Sequence, residues 1–178
     1  MTPDHSPRPP ARRGILIALS TLAVLGMAPV PARALDADLR FRAIRVDASA
    51  LAQSASPGYA RRVEALVAPR AAAVFADRMA RGERGAPILV LRIDSLSLSG
   101  FAGLSRRRGG SSFNGQNDYL EGEGLVVAGN GAVLSRVPIL SALSPSYSGS
   151  AYAEDIDARR VSNIGWHFAS WVKRKLAL

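Results

Sequence analysis

Residues 117–141 read NDYLEGEGLVVAGNGAVLSRVPILS, two β-rich runs on either side of Ala128-Gly129-Asn130-Gly131. Leu125, Val126 and Val127 lead into the turn, and Val133, Leu134, Val137, Ile139 and Leu140 lead out of it. Asn130-Gly131 predicts an antiparallel hairpin with a primed turn, because both residues tolerate positive φ. The hairpin is expected in the middle of the sheet. Gly122 and Gly124 lie inside its first run, where glycine ordinarily weakens a strand. A bulky neighbour seated over their bare backbone explains them, with a tryptophan of the last helix as the expected visitor.

Outward from the hairpin, residues 88–98 form the most apolar strand. Ile88-Leu89-Val90-Leu91 suggests burial on both faces, and Ser95, Ser97 and Ser99 then alternate with Leu96 and Leu98. Another strand spans 38–46: Leu39 and Phe41 share a face, then the phase slips at Ala43 to Ile44 and Val46. A bulge near Ala43 accounts for the slip. A polar loop, 47–56, follows.

Between these strands, Ser56 can cap a helix opened by Pro57. Tyr59, Val63, Leu66 and Val67 recur at the spacing of a buried stripe, continued by Val74, Phe75 and Met79. Pro69 predicts a kink or two abutting helices. Arg78, Arg81 and Arg84 suit a helix C-terminus, and Gly82 and Gly85 end the segment. The last helix spans 155–176, with Asp155 and Asp157 at its positive end and Lys173, Arg174 and Lys175 at its negative end. Ile156, Val161, Ile164, Phe168, Trp171, Val172 and Leu176 form its stripe. Trp166 and Trp171 both lie here, so this helix is expected to supply much of the core.

The predicted order is strand-helix-strand-strand-strand-helix. That is an α+β two-layer sandwich: a mainly antiparallel four-stranded sheet with helices on one face. The order, the N-terminus described next and the run Gln116-Asn117-Asp118-Tyr119-Leu120-Glu121-Gly122-Glu123 resemble a group of uncharacterised exported proteins from alphaproteobacteria. At the level of fold alone the order is similar to small outer-membrane assembly and transport-accessory lipoproteins, including the lipopolysaccharide-assembly lipoprotein. The resemblance implies a non-catalytic partner or lipid-handling accessory. The chain departs from those proteins in having no cysteine to lipidate.

Residues 1–13 are polar and basic, and 14–27 form an apolar run too short to span a bilayer comfortably. Small residues at Ala32 and Ala34 fit a cleavage site. Residues 1–34 are therefore expected to be a cleaved secretory signal, and 35–178 a single domain that is soluble in the periplasm, with no transmembrane span after cleavage. Arg12-Arg13 leaves a twin-arginine route open beside the general secretory one. The chain has 178 residues, enough for one domain, and 48 % apolar composition, enough for a core. No cysteine means no disulfide, no thiolate metal site and no cysteine nucleophile. The net charge is +9. It favours acidic partners, although arginine-rich surfaces also serve solubility alone.

Three sets of residues bear on chemistry. His167 is the only histidine after the leader, which leaves a histidine-based metal site without co-ligands, and no G-x-S-x-G elbow accompanies it. It is expected to be a half-buried packing residue. Glu121 and Glu123 project from one strand face with Asp118 nearby. They suit acid–base work, as in a periplasmic hydrolase, and equally the wet face of a strand. Arg106-Arg107-Arg108 lies in a flexible glycine- and serine-rich loop at 100–116, flanked by Phe101 and Phe113. Three guanidiniums can fork onto phosphate oxygens while the two phenyl rings dip into an interface. These five residues are the expected binding site, with no catalytic residue, cofactor or metal. The expected function is that of a non-enzymatic cell-envelope accessory protein that binds anionic lipid head groups or an envelope protein. An exported location disfavours nucleic acid.

Overall fold

Ser56 Oγ accepts the backbone N–H of Tyr59 at 3.1 Å, and Pro57 occupies the first helical position, where no N–H is needed. The helix they open is α2, Pro57–Val74. The computed structural model describes residues 38–80, 82–83, 85–99, 117–150 and 153–178. The expected signal at 1–34 and the loop at 100–116 lie outside these residues. In chain order the other elements are β1 (Ala43–Asp47), α1 (Leu51–Ser54), β2 (Ile88–Ser97), β3 (Asp118–Val127), β4 (Val133–Leu143) and α3 (Ile156–Lys175). Short 3₁₀ turns at Ala76–Arg78 and Pro145–Ser148 follow α2 and β4. None of the described helices is long and apolar enough to cross a membrane.

The α+β class and the four strands agree with the sequence reading; the sheet is mixed. Its order is β1-β2-β3-β4, with β1 parallel to β2 and the other two pairings antiparallel. The helical crossover after β1 returns the chain to the end where it started, so β2 runs beside β1 in the same direction. The 47–56 loop contains α1, which buries Leu51, so the order gains one short helix. The β3–β4 hairpin is also displaced from its expected place: β3 is internal, but β4 is an edge.

The turn differs from the expected primed type. Gly131 N–H donates to the Ala128 carbonyl at 3.0 Å, and Ala128 N–H to the Ala132 carbonyl at 2.8 Å. Only Gly131 has positive φ, at 85°. This is a three-residue loop in which one left-handed glycine completes the reversal, and Asn130 Oδ1 accepts from Ala132 N–H at 3.1 Å.

One buried cluster joins sheet and helices. Leu89, Leu91, Ile93, Leu120 and Val126 meet Val63 and Val67 of α2 and Ile164, Phe168 and Val172 of α3. A register shift between Ile93 and Ser95 leaves Asp94 as the extra residue. The shift keeps Leu96, opposite Leu120, on the same side as Leu89, Leu91 and Ile93. The slip near Ala43 is resolved differently from a bulge. Phe41 pairs with Met79 instead of β2, and the chain bends at Arg42 before β1 begins. Phe41 is thereby buried edge-to-face against Phe75, with ring centroids 6.0 Å apart.

Helix α2 runs unbroken through Pro69, which is exposed, so the carbonyl it frees can reach water. The helix ends at Val74 with no basic residue in its last turn; Arg78 sits in the 3₁₀ turn beyond, and the side chains of Arg81 and Arg84 lie outside the described residues. At Gly124 the visitor comes from α3 as expected, but it is Val172, not a tryptophan; at Gly122 no α3 side chain is the neighbour. A Cβ at Gly124 would collide with Val172 Cγ1, and one at Gly122 with the Arg92 carbonyl across the bulge. A Cβ at Gly165 would lie 2.7 Å from Val67 Cγ2, so α2 and α3 also meet over a bare backbone. Neither tryptophan is buried: Trp166 is exposed and Trp171 half-buried, leaving Phe41, Phe75 and Phe168 as the core aromatics.

Candidate functional site

Arg106, Arg107, Arg108, Phe101 and Phe113 lie outside the described residues. The three carboxylates lie within them and do not converge. Strand alternation turns Asp118 toward the helices and Glu121 and Glu123 toward the opposite face of the sheet. Asp118 is buried against Arg160 of α3. It accepts from Arg160 Nε at 2.9 Å and from Nη2 in a close ion pair. It also accepts from Ser99 N–H at 2.9 Å and Ser99 Oγ at 3.1 Å. Arg160 is 2 % exposed, donates to the Ser99 carbonyl at 2.7 Å and reaches Asp157 at 3.1 Å. Hydrogen bonding to Asp118 raises its pKa against the opposing effect of burial, so the guanidinium stays charged. A buried arginine is tolerable because its donors are met.

On the other face Glu123 is only 5 % exposed and sits between two arginines. Arg92 Nη2 is 2.8 Å from its Oε1, and Arg136 Nη1 lies 2.6 and 2.7 Å from its two oxygens. Arg92 also holds Asp94 at 2.9 Å, the contact that contributes most to raising its pKa. Glu121 stands exposed two residues away. The carboxylates are thus split between two faces, and two of them are held by guanidiniums. Among the described residues no group of three or more histidine, aspartate or glutamate side chains can hold a metal ion.

His167 is half-buried, as expected, and it is paired with a serine. Its Nδ1 lies 2.7 Å from Ser141 Oγ, a separation that would suit a nucleophile and its base. The other ring nitrogen decides the matter. Trp171 Nε1–H, which can only donate, points at His167 Nε2 at 3.1 Å. Nε2 must accept, so the neutral ring carries its proton on Nδ1 and donates it to Ser141. Ser141 is therefore an acceptor, and the imidazole has no lone pair turned toward it. Burial, with Arg174 adding to it, lowers the His167 pKa and keeps the ring neutral. Arg174 itself stacks over the Trp171 ring at 4.5 Å.

Beside this chain of hydrogen bonds lies a groove of about 320 Å³ lined by Leu143, Tyr147, Asn163, Trp166 and His167. Asn163, Trp166 and His167 follow at three and four along α3, which puts them on one face. Asn163 Nδ2 donates to the Tyr147 carbonyl at 3.3 Å and to Ser148 Oγ at 3.1 Å, pinning the 3₁₀ turn against the helix. Tyr147 is 75 % exposed and Trp166 50 %. The sequence offered weak signals for this site. Ser141 sits on the helix side of β4 by alternation, but it lies 26 positions from His167 and the stretch between them carries no motif. Arg160 was hidden by its type, since arginine in a helix reads as solvated.

Compared with known proteins, the chain matches no family model, no curated protein and no solved structure.

Proposed function

We propose that the protein is an exported, non-enzymatic accessory of the cell envelope, acting in the periplasm by binding an anionic surface or an acidic protein partner. One observation carries the reading: several arginines stand exposed with no ion-pair partner among the described residues while five acids are already paired. Asp118, Glu123, Asp77, Asp94 and Asp155 each meet an arginine or lysine. Arg42, Arg45, Arg61 and Arg62 are exposed with no acidic partner among the described residues. Arg106-Arg107-Arg108 brings three more guanidiniums together in sequence, between Phe101 and Phe113. The leader-like residues 1–34 support the location. A hydrolase built on Asp118, Glu121 and Glu123 finds no support in their placement on two faces.

The test is co-sedimentation with vesicles of anionic phospholipid at low salt. The protein is expected to pellet, and Arg106→Ala/Arg107→Ala/Arg108→Ala to pellet less, with both effects screened as salt rises. Equal recovery on neutral vesicles would sink the anionic reading.

A further inference from the structure

The Trp166–Tyr147 groove shares no lining residue with the exposed arginines named above and has a chemistry of its own. No charged side chain lines it, and His167 within it is neutral. An ion entering there would shed water and find no countercharge, a costly exchange. Yet the groove is not purely apolar. Asn163 Oδ1, Trp166 Nε1–H and the Tyr147 hydroxyl have no hydrogen-bond partner among the described residues. A wholly apolar ligand would bury these groups unpaired, at the cost of their hydration. What satisfies both conditions is an uncharged ring with an apolar face for the indole and polar groups around its edge. Aromatic faces carry partial negative charge and attract the slightly positive C–H groups of such a ring. The site is also built in advance, because Asn163 ties the turn bearing Tyr147 to the helix bearing Trp166. Its volume, near the lower end of ligand pockets at roughly 300–1,000 Å³, suits a sugar ring better than a lipid tail.

From this geometry we infer that the groove between α3 and the turn after β4 is a binding site for a neutral pyranose, stacked on Trp166 and hydrogen-bonded by Asn163 and Tyr147.

Two tryptophans make the test internally controlled. The protein, labelled with ¹⁵N, is titrated with maltotriose and with the trisaccharide of N-acetylglucosamine, to about 10 mM, where even millimolar affinity is visible. For at least one sugar the Trp166 indole N–H signal should shift saturably while that of Trp171, engaged with His167, stays in place. Tyr147→Ala should weaken the Trp166 response at least tenfold while the Trp171 signal still reports an intact fold. Asn163→Asp, which puts a charge in the groove and also loses the Nδ2 donors that hold the Tyr147 turn, should weaken it as well. The trisaccharide of galacturonic acid should bind more weakly than its neutral counterparts. An unmoved Trp166 signal with both neutral sugars overturns the inference, as does equal binding of the uronic acid. Binding of a proline-rich peptide or of indole in place of either sugar also overturns it, assigning the groove to another ligand class. Vesicle binding is read separately, so loss of one result leaves the other intact.

Discussion

Trp171 Nε1 and His167 Nε2 lie 3.1 Å apart, and this single contact sets the proton inventory of the β4–α3 seam. Because the indole only donates, the imidazole must accept on that side and donate to Ser141 on the other. A serine–histidine pair at 2.7 Å is thereby held in the orientation opposite to nucleophile activation. The relationship also makes the seam sensitive to acid.

A proton added to His167 arrives on Nε2, where it confronts the Trp171 N–H and adds to the positive charge of Arg174. The folded ring therefore titrates below its ordinary value of 6.5, with burial as the main cause. The unfolded chain then binds protons more readily, so stability rises with pH across the interval between the two values. The contribution is complete above about pH 6.5 and is lost as pH falls through the folded value. Chemical denaturation at a series of pH values should show this slope, and His167→Gln, which can accept from Trp171 and donate to Ser141 without titrating, should flatten it. An unchanged slope in the variant would mean the loss belongs to other groups.

Asp118 and Arg160 bury opposite charges together, so removing one strands the other. Asp118→Ala should cost about 3–5 kcal/mol in urea unfolding. Asp118→Leu combined with Arg160→Met should recover much of that loss, since apolar replacements of similar volume need no counterion. A cost below about 1 kcal/mol for the single change would show that water reaches the pair.

Gly165 and Val67 mark the closest approach of α2 and α3. Gly165→Ala should destabilise by about 1–3 kcal/mol, through overpacking. Val67→Ala in the same chain should return part of it, because the added methyl then has somewhere to go. A thermodynamic cycle with no coupling between the two positions would contradict the contact.

The turn offers a paired comparison. Gly131 has φ of 85°, whereas Gly129 does not have positive φ and has open space around its Cα. Gly131→Ala should lose roughly 1 kcal/mol, and Gly129→Ala should be neutral or slightly stabilising, by about 0.4–1 kcal/mol. Equal effects at both positions would mean that the turn has a different conformation.

Local patterns were legible where a residue's neighbours in the chain settle its conformation. Ser56-Pro57 gave the start of α2, the three-and-four stripe of Ile164, Phe168 and Val172 gave the buried face of α3, and Asn130-Gly131 gave a reversal. The two strand glycines announced a close approach. Such signals are short-range because capping, helical periodicity and turn sterics all act within a few residues.

Sequence alone thus determined an α+β chain of four strands with a capped α2 and an amphipathic α3. Tertiary structure decided the rest: that β1 runs parallel to β2, that Asp94 bulges to keep Leu96 inside, and that Val172 rather than a tryptophan fills Gly124. It also decided the chemistry. Arg160 reads as a surface residue until Asp118 arrives from a strand 42 positions away, and Ser141 reads as an ordinary hydroxyl until α3 brings His167 to it. The physical reason is the same in each case. Burial and hydrogen-bond partnership belong to pairs of residues distant along the chain, and no local pattern contains the partner.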